Sequence, residues 1–227
     1  MAKPWVTLDR AETDEGWMTL MRRGDEYVIR MEQYVLMSSR YHRSEAALAT
    51  EACSAVDPGS RPRALVAGLG MGYTLRAALD CLPTGARVTV AELNPVVARW
   101  CRGPLAELTG HALGDPRVDL RIVDVAELIS AAAHGRAKAY DAIMLDLYQG
   151  THDANDDPDH PVYGRAALER ARRALTPRGI LAVWTESADP GFERRAAKAG
   201  FRLERRRSGR GGPRYVIYVV TRAGRRD

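Results

Sequence analysis

The 227 residues carry 34 Lys and Arg against 29 Asp and Glu, a net charge of +5. That length holds one well-buried α/β domain with a small appendage and excludes two full domains. No stretch approaches the ~20 apolar residues of a membrane span, and the start, Met-Ala-Lys-Pro-Trp, lacks the apolar core of a secretory signal, so Cys53, Cys81 and Cys101 are expected to be reduced thiols in a cytoplasmic protein.

No Cys-x-x-Cys metal pair occurs. Positive charge gathers late, in Arg202, Arg205, Arg206, Arg207, Arg210, Arg214, Arg225 and Arg226. With no aromatic residues interleaved through that run, it reads as a solvated face rather than a nucleic-acid surface.

In chain order, residues 17–21 and 27–37 are rich in β-branched, aromatic and Met residues and are separated by a Gly24-Asp25 turn, which predicts a small β-hairpin. Residues 46–55 favour helix. Asp57-Pro58-Gly59-Ser60-Arg61-Pro62 is a breaker-rich linker. It divides the chain into 1–57, hairpin and first helix, and 58–227.

The second part opens on Ala64-Leu65-Val66-Ala67, a short apolar run without alternation that suits a parallel strand covered on both faces. It breaks into Gly68, Gly70 and Gly72, whose missing Cβ atoms let backbone approach a ligand. A dinucleotide fingerprint wants G-x-G-x-x-G, and here the third glycine comes one residue early. Residues 73–82 should be a helix and 87–92 a strand ending on Glu92, about 20 positions beyond the glycines, where a carboxylate accepts both ribose hydroxyls. Asn94-Pro95 caps the next helix. Residues 118–123 form a strand ending at Asp124, and residues 140–145 a strand ending at Asp146.

Three successive strands therefore finish in a carboxylate, on the sheet edge where open parallel sheets bind ligands. The competing reading is that each acid merely caps the following helix. Residues 147–162 form a long acidic loop over the same edge. Its His152, Asp153, Asp156, Asp157, Asp159 and His160 match no ligand spacing, so a solvated loop is expected and no metal is assigned. A helix at 164–175, a turn at 176–179, a strand at 180–185, a helix opened by Asp189-Pro190, and a hairpin of 201–206 with 214–221 around Gly209, Gly211 and Gly212 complete the chain.

The order of these motifs resembles the spermidine synthase-like branch of class I S-adenosylmethionine-dependent methyltransferase folds. The resemblance rests on Arg40-Tyr41-His42-Arg43-Ser44-Glu45, Gly68-Leu69-Gly70-Met71-Gly72, Ala91-Glu92-Leu93-Asn94-Pro95, Asp115-Pro116-Arg117-Val118, Asp124-Val125, the strand ending at Asp146, and Leu175-Thr176-Pro177-Arg178-Gly179. It implies a Rossmann-like α/β fold: a seven-stranded, mostly parallel sheet with strand 7 antiparallel, preceded by the hairpin. It also implies S-adenosylmethionine as cofactor, held by Gly68, Gly70 and Gly72, by Glu92 on the ribose, by Asp124 and the Val125 backbone at the adenine, and by Asp146; a homodimer is a common state of such proteins.

Two departures bear on the reaction. Aminopropyltransferases carry an Asp inside the glycine motif where this chain has Met71, and an Asp-Ser-Ser-Asp-Pro run where this chain reads Asp146-Leu147-Tyr148-Gln149-Gly150. A polyamine needs several fixed carboxylates. The sequence alone therefore leads to methyl transfer to a small-molecule acceptor, with aminopropyl transfer as the alternative and an inactive cofactor-binding module as a third. Asp146 is the expected catalytic residue. Tyr41, His42, Tyr148 and Gln149 are candidate substrate contacts, with packing at the hairpin–helix junction an equal reading for the first two.

Overall fold

Alternating patterns near the N-terminus give four antiparallel strands, β1 (Val6–Thr13), β2 (Gly16–Arg23), β3 (Glu26–Met31) and β4 (Tyr34–Ser38), paired in that order. The computed structural model describes residues 3–148, 150–207 and 215–223. The expected hairpin is thus a four-stranded sheet. β1 escaped notice because it is an edge strand whose Val6 and Leu8 face outward among charged residues. The stretch 27–37 splits in two at Glu32, which takes a positive φ of 49°. Helix α1 (Arg43–Cys53) follows.

The remaining elements alternate as the motifs predict: β5 (Arg63–Ala67), α2 (Tyr73–Cys81), β6 (Arg87–Glu92), α3 (Pro95–Arg102), β7 (Val118–Ile122), α4 (Val125–Ala133), β8 (Tyr140–Leu145), α5 (Arg165–Ala174), β9 (Leu175–Thr185), α6 (Pro190–Lys198), β10 (Phe201–Arg207) and β11 (Val216–Arg222). Their sheet runs β10-β11-β9-β8-β5-β6-β7, and β11 is antiparallel to both neighbours. Strand order reverses at β5, between β6 and β8, which is where such sheets bind ligands. Residues 176–179, expected as a turn, instead extend β9, with Thr176 Oγ1 donating to Asp141. The tip of the final hairpin lies outside the described residues.

Each sheet face carries its own core. On one face Val66, Met144, Ala182 and Ile217 pack with Leu48 of α1 and with Met18, Leu20 and Ile29 of the N-terminal sheet. The opposite face packs Ile143, Leu145, Leu181 and Val183 against Tyr163, Phe192 and Tyr218. Polar contacts add to the first: the Trp100 indole N–H donates to Asp9 of β1 at 2.7 Å, and the Asn94 amide reaches the Met18 sulfur at 3.1 Å. Among the described residues no helix is long and apolar enough to cross a membrane.

Candidate active site

The glycine turn is shaped by protein before any ligand. Gly68, Gly70 and Gly72 all adopt positive φ (84°, 52° and 85°), a region costly for residues with a Cβ. A Cβ on Gly68 would strike the Asp146 carbonyl oxygen, and one on Gly70 would stand 2.8 Å from the Met37 sulfur, a thioether from β4 that also receives the Met71 N–H at 3.1 Å. Protein contacts alone thus demand a small residue at these positions, in addition to the ligand approach that the sequence suggested. Their neighbours are Asp146, Met37 and, at Gly72, Thr109. Met71 itself is buried in the core.

Glu92 ends β6 and is 9% exposed. Its carboxylate bridges the turn, accepting the Leu69 N–H at 2.9 Å and the Asn94 N–H at 2.8 Å. Burial pushes its pKa up while these N–H groups pull it down, and burial wins. Asp124 does what the competing reading required, capping α4 by accepting from Ala126 N at 2.8 Å. For that acid capping is real, and it leaves the second carboxylate oxygen for other work. Val125 beside it is buried. Leu93 and Ile122, at the ends of neighbouring strands, are 62% and 49% exposed, leaving apolar surface bare between Glu92 and Asp124. A flat, weakly polar group such as an adenine on a ribose fits that combination.

Asp146 caps no helix. Its Oδ2 accepts from Thr74 Oγ1 of α2 at 2.5 Å. Burial, reinforced by the negative charge of Glu45, raises its pKa to about 7. Glu45, in the first turn of α1, is itself 6% exposed, holds a 2.6 Å bond from Ser44 Oγ, and has its pKa raised by burial. Asp146 thus lies in the field of a second enclosed carboxyl. Tyr73 is in the same surroundings, stacked on His42 with ring centroids 4.3 Å apart, its phenol pKa raised by burial and then by Glu45.

Of the candidate substrate contacts, His42 packs against Tyr73, whereas Tyr41 and Tyr148 are 59% and 72% exposed. Gln149 lies outside the described residues. Sequence reasoning had used Glu45 to align the first helix without placing it in the site. The signal was a Glu in the first turn of an otherwise small-residue, apolar helix. Nothing in the sequence marked Thr74.

The acidic loop is not loose. It contains a 3-10 turn, Thr151–Asn155, and is clamped by Arg195 of α6, whose guanidinium donates to the Tyr163 carbonyl at 3.0 Å, Asn155 Oδ1 at 2.7 Å and the Thr151 carbonyl at 2.9 Å. His160 is buried, its Nδ1 accepting the Val162 and Tyr163 N–H groups at 3.2 Å. Among the described residues no three His, Cys, Asp or Glu side chains come together as metal ligands.

No family model matches the chain. A polyamine aminopropyltransferase of Mycobacterium tuberculosis (strain ATCC 25618 / H37Rv) is 30% identical over 172 residues, 73% of this chain and 30% of the relative. One from Nitrosomonas europaea is 34% identical over 137 residues, 59% of this chain and 38% of that protein. The chain spans only 30% to 48% of the length of the curated relatives it matches. In fold it is similar to spermidine synthase from Thermotoga maritima, with a TM-score of 0.73 at 18% identity over 96% of this chain and 73% of that one. Human methyltransferase-like protein 13 in complex with SAH gives 0.59 at 20% identity over 82% and 83%.

Proposed function

We propose, from the premise that this chain is a spermidine synthase-like protein of the class I S-adenosylmethionine methyltransferase fold, that it transfers an alkyl group from an S-adenosylmethionine-type nucleoside to an amine. The observation that carries this reading is the enclosed pair Glu45 and Asp146. Burial raises the pKa of both carboxyls and the charge of Glu45 raises that of Asp146 further, a strain that an ammonium relieves and a neutral acceptor leaves in place. The relatives' names favour aminopropyl transfer over the methyl transfer that the sequence alone suggested.

The residues present suit the nucleoside. Glu92 would take the ribose hydroxyls, the bare Leu93 and Ile122 the faces of the adenine, and Asp124 its polar edge. Bound there, the nucleoside supplies a sulfonium-activated carbon, so no protein nucleophile is needed. This chain's part is to align the amine and make it nucleophilic. Because Thr74 occupies Oδ2 of Asp146, the proton released by the ammonium is assigned to Oδ1, on a base whose pKa near 7 suits neutral conditions. Alignment contributes the remainder through proximity.

One observation favours methyl transfer as a second reading: buried Met71 replaces the acid that aminopropyltransferases place in the glycine turn. Product analysis separates the two. Incubation with S-adenosylmethionine or its decarboxylated form and a mixture of amines should release methylthioadenosine from the decarboxylated donor. Release of S-adenosylhomocysteine alone would install methyl transfer instead, and no turnover with bound nucleoside would favour a binding module.

A further inference from the structure

The strand register continues the site beyond Asp146. Leu145 pairs with Val183, so Asp146 falls beside Trp184 of β9; Trp184 pairs with Ile217, and Val216 with Thr185, so Tyr215 falls opposite Glu186. Continued one residue past the strand ends, alternation puts Asp146, Trp184, Glu186 and Tyr215 on one face, and Glu186 does act on Tyr215. It is the face covered by α1, since Ala182, Trp184 and Ile217 pack in the core that contains Leu48. Trp184 and Tyr215 touch, with ring centroids 4.9 Å apart and planes at 47°. Glu45, Glu186 and Tyr41 all act on the Tyr215 phenol, whose pKa is raised first by burial. The Trp184 indole N–H is enclosed with no hydrogen-bond partner among the described residues.

We infer that Trp184 and Tyr215 select the acceptor, and that they suit an amine carried on an aromatic or bulky apolar body over a linear aliphatic diamine. This rests on the amine reading above. Beside the acid pair lies π-surface, which attracts organic cations and covers apolar groups. Beside Glu45, the carboxylate that acts on Tyr215 is Glu186, which is exposed and therefore screened as a partner for a second ammonium.

Calorimetric titration tests this, with 2-phenylethylamine and 1,4-diaminobutane added to protein saturated with methylthioadenosine. Phenylethylamine should bind at least roughly tenfold tighter, a gap of ~1.4 kcal/mol. In Trp184→Leu, or in Tyr215→Leu should the first variant not fold, the preference should shrink to less than about threefold with nucleoside affinity unchanged. Tighter binding of diaminobutane would overturn the inference and leave the amine reading standing. Binding of nucleoside but neither amine would overturn both. A preference that survives in both variants would overturn the assignment to these two residues.

Discussion

Replacing Asp146 with Asn should abolish transfer and yet stabilise the protein without ligand. The carboxyl's pKa rises from an ordinary 3.8 to about 7 on folding, chiefly through burial and then through Glu45. At about 1.4 kcal/mol per pH unit, the ionised group opposes folding by at most ~4 kcal/mol. The sign follows from linkage. A pKa raised by folding means the native state holds the proton more tightly, so the group favours folding most below pH 4, and that support is lost as pH rises toward 7. Asn keeps the bond from Thr74, since its amide oxygen can accept it, and carries no charge to desolvate. Allowing for the cost of burying an amide, a gain of about 2 kcal/mol at pH 8 is expected, a rise in Tm of roughly 4 to 8 °C for a chain of this size. Thermal unfolding of both proteins at pH 4.5 and pH 8 measures it. The gain should fade at the lower pH. A variant less stable than the parent at pH 8, or a difference of equal size at both pH values, would refute the electrostatic reasoning.

Glu92→Ala should weaken methylthioadenosine binding at least roughly tenfold by calorimetry, because it removes a carboxylate that can accept charge-assisted bonds; an unchanged dissociation constant would remove Glu92 from the ribose. Gly70→Val should destabilise by more than ~1 kcal/mol, combining a positive φ with the Met37 sulfur 2.8 Å from the new Cβ. Met37→Ala in the same chain should restore part of the loss, and additivity in that double-mutant cycle would rule out the contact. Arg195→Leu leaves the Thr151 and Tyr163 carbonyls and Asn155 Oδ1 without their donor, so hydrogen exchange across residues 150–163 should accelerate while the core of β8 stays protected. Uniform protection would show that the loop is held by something else. Titration with both donors should favour decarboxylated S-adenosylmethionine; a tenfold preference for the carboxylated form would return the assignment to methyl transfer.

The sheet was legible because its strands end in punctuation: three glycines after β5, then Glu92, Asp124 and Asp146 at regular α/β intervals. Those signals are local. The roles of the three acids were not equally readable, because whether a strand-end carboxylate caps a helix, as Asp124 does, or meets a threonine from another helix, as Asp146 does, depends on which elements the sheet order brings together. Glu45 and Trp184 were hidden for the same reason, lying about 100 and 40 residues from Asp146 and brought near it by the packing of α1 on β8 and by strand register. β1 was missed because an edge strand with one solvated face carries little hydrophobic signal.

The single core shared by the N-terminal sheet and one face of the main sheet has a consequence for how this protein comes into being. Met18, Leu20 and Ile29 leave the ribosome before the rest of the core they belong to, which runs from Leu48 of α1 through Val66 of β5 and Trp100 of α3 to Ile217 and Val219 of β11. Until β11 inserts between β9 and β10 that core is incomplete, and until β8 emerges Glu45 has no Asp146 beside it. Such long-range closure makes folding slow and leaves an early apolar sheet waiting in the nascent chain. Pulse-proteolysis of ribosome-bound chains should find residues 5–55 cleavable until β11 has emerged, and protection well before that point would mean that the first sheet stands without the second.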